Sequence, residues 1–167
     1  DTGSRGLGDV YKRQLMNLKE LADEIQNREP NILLKLIEES IDIKAQIVTE
    51  DFKEKGKRKF LNFGHTFAHG IESVNSETPI LHGHAVLIGM LMALDYSKEQ
   101  GFLSKDSHEV AKEILKGFKY DFTNIKLDAN GIFEAMKSDK KNTLGINLVL
   151  LKDCLLYTSD AADEGWC

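Results

Sequence analysis

The sequence predicts a mainly α-helical domain with one or two short strands near residues 143–151. Three observations carry that expectation. Apolar residues recur at steps of three and four through most of the chain, the period of a helix with one buried face. Only two prolines interrupt the 167 residues, and Leu, Ile, Lys and Glu are frequent. The apolar run 147–151 is too short for a helix and suits a strand.

Taken in order, residues 15–28 place Leu15, Leu18, Leu21, Ala22 and Ile25 at helical spacing. Pro30 then sits where a new helix can start, in its first turn. Ile32, Leu33, Leu36, Ile37, Ile41, Ile43, Ile47 and Val48 continue that helix to an end near residues 49–51. Residues 53–59 are charged, with Gly56 as a turn. One helix is expected over about 58–74, with Phe60, Leu61, Phe63, Phe67 and Ile71 on its apolar side. A loop at 75–79 follows. Residues 82–99 are apolar enough (Val86, Leu87, Ile88, Met90, Leu91, Met92, Leu94) to form a buried helix, with Gly101 as its C-cap. Ser104 or Asp106 can cap a helix to about 118 that turns Val110, Ile114 and Leu115 inward. Asp128 or Asn130 can cap a short helix through Met136. No internal repeat or low-complexity tract is present.

The two ends stand apart. Residues 9–14 read DVYKRQ and residues 154–159 read CLLYTS. One DNA string, GATGTGTATAAGAGACAG, encodes the first. Its reverse complement, shifted by one base and extended by one T, encodes the second. Two ends of a natural protein have no reason to be so related, and the string resembles a transposon adapter used in sequencing libraries. Residues 1–14 and 154–167 are therefore expected to be non-native and are set apart from fold reasoning. The remaining domain, 15–153, is expected to be part of a longer gene product. It contains neither cysteine, since both lie at 154 and 167, so disulfides and thiolate metal sites are excluded there. This fits a cytoplasmic protein. The chain's net charge of −5 argues against a nucleic-acid partner. No apolar run approaches bilayer length, which argues against a membrane span.

Chemistry concentrates between residues 58 and 90. His65 and His69 are four apart and share a helix face, and a helix–loop–helix can bring His82 back beside them. Neutral imidazole is the commonest metal ligand, and catalytic zinc takes three protein ligands with one position open. By spacing alone, such a pair is more often structural than catalytic. Arg58 and Asn62 extend it into a polar stripe with His65 and His69. A stripe of one fixed cation, one amide and two imidazoles suits an anionic, oxygen-rich ligand, where a merely solvated face would be rich in Glu and Lys. Gly64 and Gly83, each beside a histidine, allow close backbone approach, and Gly83 could equally be a turn residue.

The runs RKFLNFGHTFAHGIE (58–72) and LHGHAVLIGM (81–90) resemble the signature of 3-dehydroquinate synthases, which is close to R-x-x-LNFGHT-x-GHA-x-E followed by LHGEAVAIGM. Upstream, KAQIVTED (44–51) is similar to the family's KA-x-VV-x-x-D. Downstream, SDKKN (138–142) is similar to its DKK segment. The resemblance covers nearly all of 15–153, in order. It implies the helical C-terminal domain of an α/β + α enzyme whose N-terminal domain binds NAD⁺. It further implies that His65 and His82 are metal ligands, to Zn²⁺ or another divalent ion such as Co²⁺. The family's third ligand, a glutamate, would lie upstream of residue 15. His69 would contact substrate and help proton transfer. Lys44, Arg58, Asn62 and one of Lys140 or Lys141, with Lys140 favoured, would hold the substrate's phosphate, carboxylate and hydroxyls.

The implied reaction turns 3-deoxy-D-arabino-heptulosonate 7-phosphate into 3-dehydroquinate and phosphate, a step of aromatic amino-acid biosynthesis. It implies a small sugar-acid phosphate as ligand and a homodimer in the full-length parent. The isolated domain is expected to be inactive. Two departures stand out. His84 replaces the usual glutamate, and Ala68 and Gly70 reverse the usual Gly-His-Ala around His69. His82 and His84 are two apart and cannot share a helical face, so His84 is expected to point away from the site. The alternatives are another sugar-phosphate cyclase or a metal-dependent alcohol or glycerol dehydrogenase. The dehydrogenases would not be expected to carry Arg58, Asn62 and the DKK segment together.

Overall fold

The computed structural model describes residues 22–118, 120, 122–138, 145–152 and the backbone of 155–160. The expectations for residues 1–14, for most of the first helix, and for Lys140 and Lys141 therefore fall outside the described residues.

Among the described residues, six α-helices, one 3-10 helix and two strands follow in chain order. Helix α1 is Ala22–Gln26 and α2 is Pro30–Glu50, with Pro30 in its first turn as expected. The 3-10 helix is Lys57–Asn62, α3 is His65–Val74 and α4 is His82–Glu99. Helix α5 is Lys105–Gly117 and α6 is Ala129–Ser138. Strands β1 (Asn147–Lys152) and β2 (Leu155–Asp160) pair antiparallel, with Leu150 opposite Tyr157. Strand β1 lies where the sequence places it. Strand β2 lies within the carboxy-terminal segment set apart above. Among the described residues, no helix is long and apolar enough to cross a membrane.

The core forms where α3, α4 and α6 meet. Ala68 and Ile71 of α3, Ala85 and Ile88 of α4, and Ile132 and Met136 of α6 are buried together, with Phe67, Val74 and Val86 packed around them. Each fully buried Ile or Leu in such a core contributes about 1.5–3 kcal/mol. The cluster follows from α3's period, since 68 and 71 lie three apart on one side of the helix.

Backbones approach most closely where α4 crosses the start of α3. A Cβ on Gly89 would overlap the Gly64 carbonyl oxygen, and one on Gly64 would come within 2.6 Å of the Met90 nitrogen. Gly64 also has φ +78°, a left-handed conformation that costs other residues about 1–2 kcal/mol. The reversed Ala68–His69–Gly70 order has a packing basis here, because a Cβ at 70 would press on Ile132 at 2.9 Å.

Polar contacts fix the other junctions. Buried Asn75 ends α3 by donating to the Ile71 and Lys126 carbonyls and accepting from the Lys126 N–H, so both amide hydrogens and the amide oxygen are used. Ser97 Oγ, buried in α4, accepts from the Leu151 N–H of β1, and Thr66 Oγ1 of α3 donates to the Asn147 carbonyl. Helix α4 ends in a Schellman motif. Gly101 (φ +73°) and Phe102 donate to the Lys98 and Ser97 carbonyls. Ser104, not Asp106, caps α5: its Oγ accepts from the Ser107 N–H at 3.1 Å. Helix α6 starts directly after Asp128, whose carbonyl accepts from the Ile132 N–H.

Two expectations are corrected. The single helix over 58–74 is split, because Phe63 is extended (ψ 123°) and Gly64 is left-handed, so the 3-10 helix and α3 have separate axes. Val110, expected inward, is 49% exposed; Ile114 is buried as expected, and His108, not expected there, is buried with it.

Candidate metal and anion site

Three imidazoles meet where the N-termini of α3 and α4 come together. His65 begins α3, His69 lies one turn on, and His82 begins α4. Their ring centroids are 5.4 Å apart for His65–His82, 6.2 Å for His65–His69 and 6.4 Å for His69–His82. Two imidazoles on one tetrahedral ion, with metal–nitrogen bonds of about 2.0–2.1 Å, place their centroids on the order of 5 Å apart. His65 and His82 match that separation best.

The ring nitrogens distinguish the same pair. His65 Nδ1 lies 3.3 Å from the Phe63 carbonyl oxygen, and His82 Nδ1 lies 2.9 Å from Glu72 Oε1. Each acceptor calls for the proton on Nδ1, which leaves the Nε2 lone pair for a ligand, the usual outer-shell arrangement of metal-binding histidines. Burial pushes the His65 imidazole below its ordinary pKa, against the Phe63 carbonyl, which raises it; the neighbouring His82 and His69 rings add to the lowering. A ring so biased is neutral near pH 7, the form that ligates. The donor set therefore fits a divalent ion. Among the described residues, no group of three or more His, Cys, Asp or Glu side chains is arranged to hold a metal ion, so the pair is a partial set.

His84 is not part of this triangle. Its ring packs edge-on against Tyr120, with centroids 4.9 Å apart, beside a shallow hollow lined in part by Pro79, Leu81 and Asn124. Gly83 has no atom near a would-be Cβ and lies in the first turn of α4, so neither a close approach nor a separate turn explains it.

Arg58 and Asn62 belong to the 3-10 helix and so do not continue the His65–His69 face. Glu54 links them. Its Oε1 accepts from Asn62 Nδ2 at 2.7 Å, and its Oε2 lies 4.0 Å from Arg58 Nε. Arg58 Nη1 also donates to the Phe52 carbonyl at 2.8 Å. A guanidinium has five donors, so these contacts orient it and leave others for an anion. Lys44 is exposed on α2, on the same face as part-buried Ile47 and Val48 three and four residues on.

Asp51, which closes the KAQIVTED run but was given no role from sequence, builds this segment. Its carboxylate accepts from the backbone N–H groups of Lys55, Gly56 and Arg58 at 2.7–3.2 Å. Those bonds, led by the one from Lys55, hold its carboxyl below the ordinary value. The available signal was an aspartate before a short Gly-containing turn, a common side-chain-to-backbone motif. Glu54 gave no such signal, and Glu72, though it matches the closing glutamate of the 58–72 signature, was given no role from sequence.

Comparison with known proteins bears on the same segment. The family model described as 3-dehydroquinate synthase C-terminal matches residues 6–142. The chain belongs to this family. The 3-dehydroquinate synthase of Methylacidiphilum infernorum is 36% identical over 151 residues, 89% of this chain and 42% of that protein. That of Clostridium perfringens is 37% identical over 155 residues, 89% of this chain and 44% of that protein. That of Campylobacter curvus is 38% identical over 143 residues, 84% of this chain and 41% of that protein. The chain thus spans less than half the length of these curated relatives. As a 3-dehydroquinate synthase C-terminal domain, it has the mainly helical fold expected of one. The family match begins inside the amino-terminal segment set apart above.

Proposed function

We propose that the full-length parent is a 3-dehydroquinate synthase, a carbon–oxygen lyase that converts 3-deoxy-D-arabino-heptulosonate 7-phosphate to 3-dehydroquinate and phosphate. The supporting observation is the His65–His82 pair, 5.4 Å apart with both Nδ1 atoms facing acceptors. In this reading His65 and His82 hold the divalent ion, Zn²⁺ or Co²⁺, together with a glutamate from upstream sequence. When bound, the ion supplies Lewis-acid polarisation of substrate oxygens, and NAD⁺, bound mainly by an upstream domain, supplies the hydride chemistry.

The chain's own residues bind, orient and move protons. His69, exposed and one turn from His65, contacts substrate and relays a proton. Arg58, pre-oriented by the Phe52 carbonyl, receives a carboxylate or phosphate as a planar fork. Asn62, Lys44 and Lys140 complete the recognition of a doubly anionic, polyhydroxylated substrate. The parent acts in the cytoplasm as a homodimer, without nucleic-acid partners.

The test is turnover by the full-length parent supplied with the heptulosonate phosphate and NAD⁺. Phosphate release without net NADH is expected, and His65→Ala or Arg58→Ala should lower kcat/KM by at least ~100-fold, about 2.7 kcal/mol of transition-state stabilisation. Net NADH accumulation from an alcohol or glycerol, or full activity in both variants, would overturn the reading.

A further inference from the structure

We propose that Glu72 is a positioning residue that fixes the ring of His82 so that Nε2 faces the metal; this rests on the metal reading above. Glu72 lies on α3, three residues after His69 and seven after His65, so one helix face carries all three side chains. From there its Oε1 reaches Nδ1 of His82, the first residue of α4, at 2.9 Å. Little else holds that ring. His82 is 56% exposed, Leu81 before it is 70% exposed, and Gly83 after it offers no side chain. The carboxylate does two things at once. It selects one rotamer of an otherwise loosely held ring, and it selects the tautomer with the proton on Nδ1.

The two ligand histidines differ in how this is done. At His65 the acceptor is the Phe63 backbone carbonyl, which no side-chain substitution removes. At His82 the acceptor is a side chain, so its contribution can be deleted. An anionic acceptor also makes the ring a stronger donor to a cation than a neutral carbonyl does. Loss of such an outer-shell partner lowers metal affinity by about 10–100-fold.

The experiment uses the full chain and two readouts. Co²⁺ titration, followed by its visible absorption, is done on the wild type, Glu72→Gln, Glu72→Ala and His82→Ala. The His82 tautomer is read in the metal-free protein by ¹⁵N–¹H correlation of the ring at pH 8. Expected are a 10–100-fold weaker Co²⁺ affinity in Glu72→Ala, a smaller loss in Glu72→Gln, and a His82 ring that moves from the Nδ1–H tautomer toward Nε2–H in Glu72→Ala. Glu72→Gln, nearly isosteric, keeps the test open should Glu72→Ala fail to fold. The proposal is overturned if His82→Ala abolishes binding while both Glu72 variants bind as the wild type does. It is also overturned if affinity falls without a change of tautomer, since Glu72 would then be acting as a ligand itself. If His82→Ala binds Co²⁺ like the wild type, the metal reading fails, whatever the Glu72 variants do.

Discussion

Among the described residues, two histidine–carboxylate pairs use the same chemical groups for different ends. His82–Glu72 joins α4 to α3 at 2.9 Å, with the ring 56% and the acid 32% exposed, beside two further imidazoles. His108–Asp95 joins α5 to α4 at 2.6 Å, with the ring only 6% exposed. Lys112 adds two bonds to the same Asp95 carboxylate, at 2.6 and 3.0 Å, and His108 Nδ1 is buried with no hydrogen-bond partner among the described residues. The second pair is closed: its cation is built in, and its free nitrogen faces packed protein. The first is open: among the described residues, the ring itself is the one ion-pair partner of Glu72. Burial and the third partner, rather than the pair, decide whether a histidine–carboxylate contact clamps helices or presents a ligand.

That contrast can be broken from either side. The largest effect is expected at the frame beneath the open pair. Gly89→Ala should cost about 3 kcal/mol or more, because the added Cβ overlaps the Gly64 carbonyl and forces α3 and α4 apart; urea unfolding should show it. Next, His108→Ala should cost about 2 kcal/mol in the same measurement by emptying a buried, hydrogen-bonded position, while leaving metal affinity within twofold of wild type. Ser104→Ala removes the cap of the helix that carries His108 and should cost about 1 kcal/mol.

The smallest effect is one of pH. Burial alone would raise the Asp95 carboxyl, but hydrogen bonds and charge from Lys112 and His108 outweigh it and hold it below the ordinary value. A carboxyl lowered in the folded state gives stability that is present above its unfolded pKa and lost as pH falls through the folded one. Wild type should therefore lose more stability than Asp95→Asn between pH 5 and pH 2, by a modest amount since Asp95 is half exposed.

Much of the fold was legible because helix punctuation is local. Pro30, Gly101 and Ser104 mark boundaries by their own backbone and side-chain chemistry, and the structure uses all three. The break at Phe63–Gly64 was not legible from period alone. Apolar spacing runs through 60–71 without interruption, and only the crossing of Gly89 over Gly64 shows why a left-handed residue is needed there. The histidine triangle was legible from i, i+4 spacing plus a short loop. The contacts that orient it were not: Glu72 stands in the quoted signature, but its bond to His82, like that of the Phe63 carbonyl to His65, is set by three-dimensional placement. His108 went unremarked for the same reason. One histidine on a charged, amphipathic helix gives no sign of its burial until Asp95 is brought against it.

The most direct test is a thermal-shift comparison of wild type, His82→Ala and His108→Ala with and without saturating Zn²⁺. A metal that binds only the folded state raises its stability by about 2.7 kcal/mol at a hundred times Kd. Zn²⁺ should raise the Tm of wild type and of the intrinsically less stable His108→Ala by similar amounts, and should leave His82→Ala nearly unmoved. An equal Zn²⁺ shift in His82→Ala, or its loss in His108→Ala, would contradict the assignment of the open pair to ligand binding and the closed pair to structure.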